Sequence, residues 1–165
     1  MEEKQNNQEQ IVYPSFIDIK YLWQEFKKSK TGYNNAHLYI KNANQHKGLG
    51  VFPNQNIKEG QIVEFCHSVK IDTPKQWMND RGLLKYCYWT NYGQGIMPLG
   101  YGPVYNSADR QHLRNTDFFI FPEDSLIVFV AQKNIMAHEE ILVWWGDQYY
   151  ENWCKPSNPK GIIKD

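Results

Sequence analysis

The first apolar segment of the chain repeats with the period of a helix. Its apolar residues stand three or four positions apart, at Phe16, Ile19, Leu22, Trp23 and Phe26. Ser15, followed three positions later by Asp18, resembles a helix N-cap. The pattern predicts an amphipathic helix that packs one side on a core.

Beyond Gly32 the pattern changes to short apolar segments with alternation. Val, Ile, Phe and Trp dominate them and turn residues bound them, as is typical of β-strands. The predicted strands are residues 37–41, 48–52, 61–71, 117–121, 125–135 and 139–145. Residues 74–89 are predicted to be helical instead, with Pro74 in the first turn. The fold class that follows is mainly β, with small sheets and few helices.

The length of 165 residues is that of one ordinary domain, and 15% aromatic residues are enough to build a core. Residues 1–12 are rich in Glu, Gln and Asn, which predicts a disordered polar tail. Residues 13–35 are then an N-terminal helical extension. Since no repeat or internal linker follows, the rest of the chain is expected to form one unit.

Charge and cysteine content narrow the classes of function. Lys and Arg together number 18, as do Asp and Glu, so no net field favours nucleic acid or an anionic membrane. No apolar run approaches the roughly 18 residues of a membrane span, and the polar N-terminus is unlike a secretory signal. Three widely spaced cysteines make neither a disulfide framework nor a metal cluster. We therefore expect an intracellular protein, cytoplasmic or nuclear, with no metal, no membrane and no nucleic-acid partner.

Three glycine clusters are the candidate sites for chemistry. The first is residues 47–52, KGLGVF, where two glycines enter a predicted strand. It is not a dinucleotide fingerprint, because a third glycine and a following helix are missing. The second is residues 99–106, LGYGPVYN, and the third is residues 145–150, WGDQYY. Glycines permit close approach of a ligand to the backbone, and here aromatic residues and an asparagine stand beside them.

The order of these clusters resembles that of the SET domain family. Four motifs carry the resemblance along residues 36–152: GLGVF, NIKEGQIVEF, LGYGPVYN and AQKNIMAHEEILVWWGDQYY. The likeness is greatest to the short stand-alone SET proteins of bacteria and large DNA viruses. It places a SET domain at residues 36–155 and a short tail at residues 156–165.

The resemblance implies small curved sheets, with a C-terminal segment that crosses in a pseudoknot-like way through a loop. It also implies methyl transfer from S-adenosylmethionine to a lysine amine of a protein or peptide. In the family the cofactor and the peptide enter from opposite faces and meet in an aromatic channel. Aromatic faces favour both a sulfonium and a methylated ammonium, and displacement depends on alignment and exclusion of water.

Individual residues take their expected roles from the same motifs. The resemblance implies cofactor contacts for Gly48, Leu49, Gly50, Asn106, Ser107 and Tyr150, the last stacking on the adenine. It implies the lysine channel and the catalytic groups for Tyr86, Tyr105, Trp145 and Tyr149. Glu140 and the Gly146–Asp147 pair fit the last motif.

The chain departs from the family at two motifs. Where the family has Asn-His-Ser, this chain has Asn106, Ser107 and Ala108, and the downstream Pro-Asn is replaced by residues such as Gln111 and His112. The tyrosine before Gly-Asp, whose phenol is the family's main catalytic group, is Trp145 here. Indole has one N–H donor and no acid–base chemistry, and it is bulkier than a phenol.

Two interpretations therefore stay open. Tyr101, Tyr105 or Tyr149 could supply the missing hydroxyl, and His112 could act as a base or lie on a surface loop. With such a substitute the protein is a methyltransferase. Without one it is a catalytically inactive SET module that binds a peptide or protein partner. A homodimer is compatible with either interpretation.

Overall fold

The computed structural model describes residues 16–28, 35–44, 47–71, 86–90 and 94–147. The predicted tails at residues 1–12 and 156–165 lie outside these ranges, as do Tyr149, Tyr150 and residues 74–85 of the predicted second helix. The domain boundaries stay predictions.

The described chain contains one α-helix, α1, at Phe16–Lys28, and nine strands. The strands are β1 Leu38–Asn44, β2 Gly48–Pro53, β3 Ile62–Ile71, β4 Tyr88–Trp89, β5 Gly95–Pro98, β6 Asn106–Ser107, β7 Thr116–Phe121, β8 Leu126–Ala131 and β9 Leu142–Val143. Single 3-10 turns lie at Gly102–Val104, Gln111–Leu113 and Pro122–Asp124. The prediction of a mainly β fold with an N-terminal helix is confirmed.

The strands form three sheets. An antiparallel sheet of five strands has the order β4-β5-β3-β8-β7, and β1 pairs with β2 in an antiparallel hairpin. The third sheet is the short parallel pair of β6 and β9. Since Ser107 of β6 and Leu142 of β9 are 35 positions apart in the chain, this pair ties the C-terminal part of the described chain back to its middle.

The two faces of the five-stranded sheet are buried in two separate cores. On one face, α1 places Ile19 and Trp23 against Phe65, Leu126 and Val128. Lys27, also on α1, forms an ion pair with Asp124, with its ammonium 2.9 Å from Asp124 Oδ1. Side chains from the other face pack against the β1–β2 hairpin and the segment around β9, and we call this cluster the second core. Alternation along β3 makes this possible, because Glu64 and Cys66 point to the second core while Phe65 points to the helix.

Some predicted element limits are wrong. Residues 88–89 belong to strand β4 rather than to a helix, because Tyr88 pairs with Ile96 and its hydroxyl donates to the Gly102 carbonyl oxygen. Tertiary contacts override local preference here. Strand β8 ends at Ala131, and beyond it Ile135 forms only an isolated bridge with Ile57. Within the described ranges, α1 is too short and too polar to cross a membrane.

Candidate functional site

Three segments that are distant in sequence meet where β2 begins. The side-chain amide of Asn106 donates to the Leu49 carbonyl oxygen at 2.9 Å and to Glu140 Oε1 at 2.7 Å. Gly50 lies between these groups. We call Gly48, Leu49, Gly50, Asn106 and Glu140 the cradle.

The two glycines of the cradle have different physical roles. A Cβ at Gly50 would lie 2.5 Å from Glu140 Oε1 and 3.1 Å from Asn106 Nδ2, so a side chain there would displace the Glu140 carboxylate from its place beside Asn106. At Gly48 nothing lies within 4 Å of a Cβ, and φ of +68° is the left-handed conformation that glycine adopts readily. Gly50 thus lets the segments close on one another, while Gly48 turns an open stretch of backbone towards solvent.

Backbone pairing fixes the segments of the cradle. Asn106 is the parallel partner of Leu142, and the Ala108 N–H donates to the Val143 carbonyl oxygen at 2.7 Å. Ile141 N–H donates to Val51 O at 2.9 Å, which joins the same segment to β2. The cradle is therefore part of the sheet framework rather than of a loose loop.

A lysine and a serine border the cradle. The Lys47 ammonium lies 3.2 Å from the Ser107 carbonyl oxygen and 3.3 Å from Asp109 Oδ1. Ser107 is buried, and its hydroxyl donates to the Ala108 carbonyl oxygen. The ion pair with Asp109 thus ties the Lys47 ammonium to the loop after β6.

Trp145 lies in an aromatic cluster next to the second core. Its ring centroid is 4.5 Å from that of Tyr88, and Tyr88 in turn meets Phe118 edge to face at 4.7 Å. The indole N–H of Trp145 donates to the Tyr105 carbonyl oxygen at 3.4 Å. The single donor of the indole is therefore turned to the backbone.

The hydroxyls of three nearby tyrosines are all used within the protein. Tyr88 donates to Gly102 O, Tyr101 donates to Leu38 O at 3.1 Å, and Tyr105 donates to Glu64 Oε2 at 2.8 Å. Tyr101 and Tyr105 were two candidates for a substitute hydroxyl, and both are engaged in contacts inside the fold.

Glu64 is a fully buried carboxylate at the centre of the second core. It accepts the backbone N–H of Tyr101 at 2.9 Å as well as the phenol of Tyr105. Burial raises the pKa of Glu64, and burial together with the nearby Glu64 charge raises the pKa of Tyr105. The same two causes raise the pKa of Cys66 to about 12, so this thiol stays protonated and packs as a small apolar residue.

Gly100 has a steric role beside Glu64. A Cβ at this position would collide with Glu64 Oε1 and lie 3.0 Å from Cys66 Sγ. The Gly100 N–H donates to that sulfur at 3.2 Å. Gly100 thus makes room for the buried carboxylate, whereas Gly102 makes room for Pro98 and Phe129. Both glycines of the LGYGP motif therefore have structural roles in a cluster first singled out as a ligand site.

The predicted site residues fall into three groups. The structure brings together Gly48, Leu49, Gly50, Asn106 and Ser107, and separately Tyr105 and Trp145. Tyr86 has 41% of its surface exposed just before β4. Tyr149 and Tyr150 lie outside the described residues. His112 is exposed on the 3-10 turn between β6 and β7. The roles assigned to all of these residues stay predictions.

Sequence reasoning missed two buried polar residues, Glu64 and Asn115. Both had a signal in the pattern. Glu64 is a charged residue inside the apolar run of β3, and such a residue must find partners when the strand is buried. Asn115 stands directly before the apolar run of β7, where an amide is well placed to pair with neighbouring backbone.

Comparisons with known proteins identify the family of this fold. A crystal structure from Plasmodium falciparum, of a protein described as a "putative histone methyltransferase", is similar to this chain with a TM-score of 0.51 and 28% sequence identity. The match covers 72% of this chain and 97% of that one. A search of the curated proteins finds no match. The family model of the SET domain matches residues 48–146, more than half of the chain. This protein therefore belongs to the SET domain family.

Proposed function

We propose that the protein is a SET-type methyltransferase that uses S-adenosylmethionine and transfers methyl to a lysine amine of a protein. The observation that carries the proposal is the cradle, in which Asn106 joins the Leu49 carbonyl to the Glu140 carboxylate across three segments. Membership of the family and the similarity to the Plasmodium protein support the reaction class.

The residues of the cradle fit the amino-acid part of this cofactor. Gly48 offers open backbone, and the Oδ1 atom of Asn106 has no hydrogen bond among the described residues. Glu140 supplies a negative charge and Lys47 a positive one, and an α-amino acid carries both. When bound, S-adenosylmethionine would supply a methyl group on a sulfonium sulfur, which a neutral amine would take by direct displacement with the thioether S-adenosylhomocysteine as leaving group.

The aromatic cluster fits the acceptor side. The half-buried ring of Trp145, with the buried ring of Tyr88 packed behind it, forms an aromatic wall, and an aromatic face attracts an ammonium. Burial away from water acts in the opposite direction and lowers the pKa of an entering amine, and methyl transfer needs this second effect because only the neutral amine attacks. Trp145 cannot take a proton itself. Its contribution is therefore alignment of the amine and exclusion of water.

A second candidate function is a SET module that binds a peptide without methylating it. The observation in its favour is the commitment of three tyrosine hydroxyls to protein acceptors, with Trp145 packed on Tyr88 at the place of the family's catalytic tyrosine. An aromatic wall of this kind binds a cationic side chain even if no group removes a proton.

Transfer of a labelled methyl group from S-adenosylmethionine to a lysine-containing peptide library tests the proposal. We expect incorporation with the wild-type protein, and at least about tenfold less with Asn106→Ala, since this variant loses the partly buried hydrogen bond to Glu140 and a hydrogen bond to a charged group contributes about 1.5–3 kcal/mol. Asn42→Ala is a matched control, because Asn42 is exposed on β1. If the wild type and Trp145→Tyr both bind the cofactor and neither transfers methyl, the enzyme proposal is wrong and the binding module replaces it.

A further inference from the structure

We infer that Asn115 is the positioning residue of the cradle: its side chain holds the segment from Glu140 to Leu142 in the one register that places the Glu140 carboxylate against Asn106. The part of this inference that concerns the cofactor rests on the proposed function. The part that concerns the register rests on the contacts alone.

Asn115 binds that segment at three points. Its side-chain amide donates to the Glu140 carbonyl oxygen at 2.8 Å, and its Oδ1 accepts the Leu142 N–H at 2.7 Å. Its own backbone N–H donates to the Leu142 carbonyl oxygen at 3.1 Å. The residue is 1% exposed. The side-chain amide of Asn115 thus binds backbone groups of the segment as the backbone of a neighbouring strand would.

Asn115 is itself held on the large sheet. Its carbonyl oxygen accepts the Gln132 N–H at 2.8 Å, just after β8, and its neighbour Thr116 pairs with Ala131 at the start of β7. The position of the Asn115 side chain is therefore fixed by the five-stranded sheet. The sheet thus fixes the Asn115 side chain, and the Asn115 side chain fixes the position of the segment that carries Glu140.

The strands that form the cradle need such an anchor. The parallel pair of β6 and β9 has only two residues on each side, and a pair this short has little hydrogen bonding to specify its register. A shift by one residue would reverse which face of the segment each side chain occupies. Glu140 would then point away from Asn106, and the Asn106 amide would keep only the Leu49 carbonyl as a partner.

Two supports act on opposite sides of the segment. The Ile141 N–H is bound by Val51 O of β2, whereas the groups of Glu140 and Leu142 are bound by Asn115. Alternate backbone groups of one strand thus point to two neighbours, as in the interior of a sheet. Removal of Asn115 takes away the neighbour on one side of the segment and leaves β2 and the short strand β6 as its remaining neighbours.

Hydrogen exchange tests the register part in the wild-type protein and in Asn115→Asp. Asp keeps the acceptor for the Leu142 N–H but cannot donate to Glu140 O. We expect the side-chain amide protons of wild-type Asn115 to exchange as slowly as strand backbone amides. In Asn115→Asp the backbone N–H groups of Leu142 and Ala108 should exchange at least about tenfold faster. Leu126→Ala is the control, because Leu126 is fully buried in the core under α1, on the opposite face of the sheet.

Calorimetric titration with S-adenosylhomocysteine tests the cofactor part through a double-mutant cycle. Asn115→Asp should raise Kd at least about tenfold in the wild-type background, and less than about twofold in the Glu140→Gln background, since it acts through Glu140. Leu126→Ala should leave Kd within about twofold.

Each outcome decides a different point. The positioning role would be overturned if Asn115→Asp raised Kd equally in the wild-type and Glu140→Gln backgrounds. It would also be overturned if Leu126→Ala raised Kd as much as Asn115→Asp does. Fast exchange of the Asn115 side-chain amide in the wild type would overturn it without any variant, even if Asn115→Asp fails to fold. Absence of binding to the wild-type protein would overturn the proposed function, and the exchange data would still decide the register.

Discussion

The cradle and the aromatic cluster around Trp145 use polar groups in opposite ways. In the cradle, Asn106 and Glu140 face a stretch of open backbone at Gly48, with a free acceptor among the described residues. In the cluster, the hydroxyls of Tyr88 and Tyr105 donate hydrogen bonds to acceptors inside the core. The first region retains groups that can meet a ligand, while the second has turned them inwards.

Under the proposed function, the two regions would take different parts of the reaction. Binding a zwitterionic cofactor needs charges and backbone at fixed places, and the cradle has such groups. The hydroxyls of Tyr88 and Tyr105 already have protein acceptors, so the cluster would align the acceptor amine rather than take its proton. Glu64 is the centre of that arrangement, because it accepts from both Tyr101 and Tyr105 in a fully buried position.

The largest effect is expected from Glu64→Ala, which breaks the cluster and spares the cradle. It leaves the Tyr105 hydroxyl and the Tyr101 N–H buried without an acceptor. We expect a loss of about 3 kcal/mol in the free energy of unfolding. Urea unfolding measures it. Glu123→Ala, on an exposed carboxylate, is the control and should stay within about 0.5 kcal/mol. A loss below about 1 kcal/mol for Glu64→Ala would show that the buried network is not a main source of stability.

The second effect, from Gly50→Ala, breaks the cradle and spares the cluster. The added methyl displaces the Glu140 carboxylate from Asn106, and this side chain can move without unfolding the sheet. We expect at least a tenfold rise in Kd for S-adenosylhomocysteine, about 1.4 kcal/mol, with little change in melting temperature. Gly48→Ala, where no atom lies in the way, is the matched glycine variant. It should lose about 1 kcal/mol of stability through its positive φ instead. Weaker cofactor binding in Gly48→Ala, together with lower stability and unchanged binding in Gly50→Ala, would contradict the geometry.

A smaller effect of pH separates the charge of Glu64 from its hydrogen bonds. Burial raises its pKa above the ordinary value of 4.5. A carboxyl whose pKa is raised by folding contributes stability below its unfolded pKa, and this contribution is lost as pH rises through the folded pKa. Glu64→Gln cannot ionise. The stability of the wild type relative to this variant should therefore fall as pH rises above about 4.5. Urea unfolding of both proteins across the acidic to neutral range checks it, and a flat or rising difference would contradict it.

The smallest effect is expected at the rim of the cradle. Asp109 pairs with Lys47 at 3.3 Å, but its side chain is 62% exposed. Exposed ion pairs contribute little to stability, so Asp109→Asn should change the free energy of unfolding by less than about 0.5 kcal/mol. Thermal unfolding at low and high salt measures this difference. A salt-sensitive loss above about 1 kcal/mol would mean that Lys47 and Asp109 help to close the cradle.

Sequence patterns predicted the parts of the fold that local chemistry decides. Helix α1 follows from apolar spacing, and β3 and β8 follow from long β-branched runs. Strands β5 and β6 have four and two residues, too few to show a period, so only their partners define them. Strand β4 falls in a segment with helix-like spacing and is fixed by pairing with β5.

The candidate site divides in the same way. The glycines and Asn106 were found because they stand in ordered motifs, and the structure brings them together. The contact of Glu140 with Asn106 was not predictable, since 34 residues separate them and a sheet register must align them. Asn115 and Glu64 were missed because a buried polar side chain shows its partners only in the folded protein.

Calorimetric titration of the wild-type protein with S-adenosylmethionine, beside Asn106→Ala, tests the central claim most directly. The cradle as described should bind this cofactor in the micromolar range, and Asn106→Ala should bind at least about tenfold more weakly. Equal affinities for the two proteins would place the cofactor elsewhere. Absence of binding to the wild type at millimolar cofactor would contradict the account and leave a SET-shaped module for peptides.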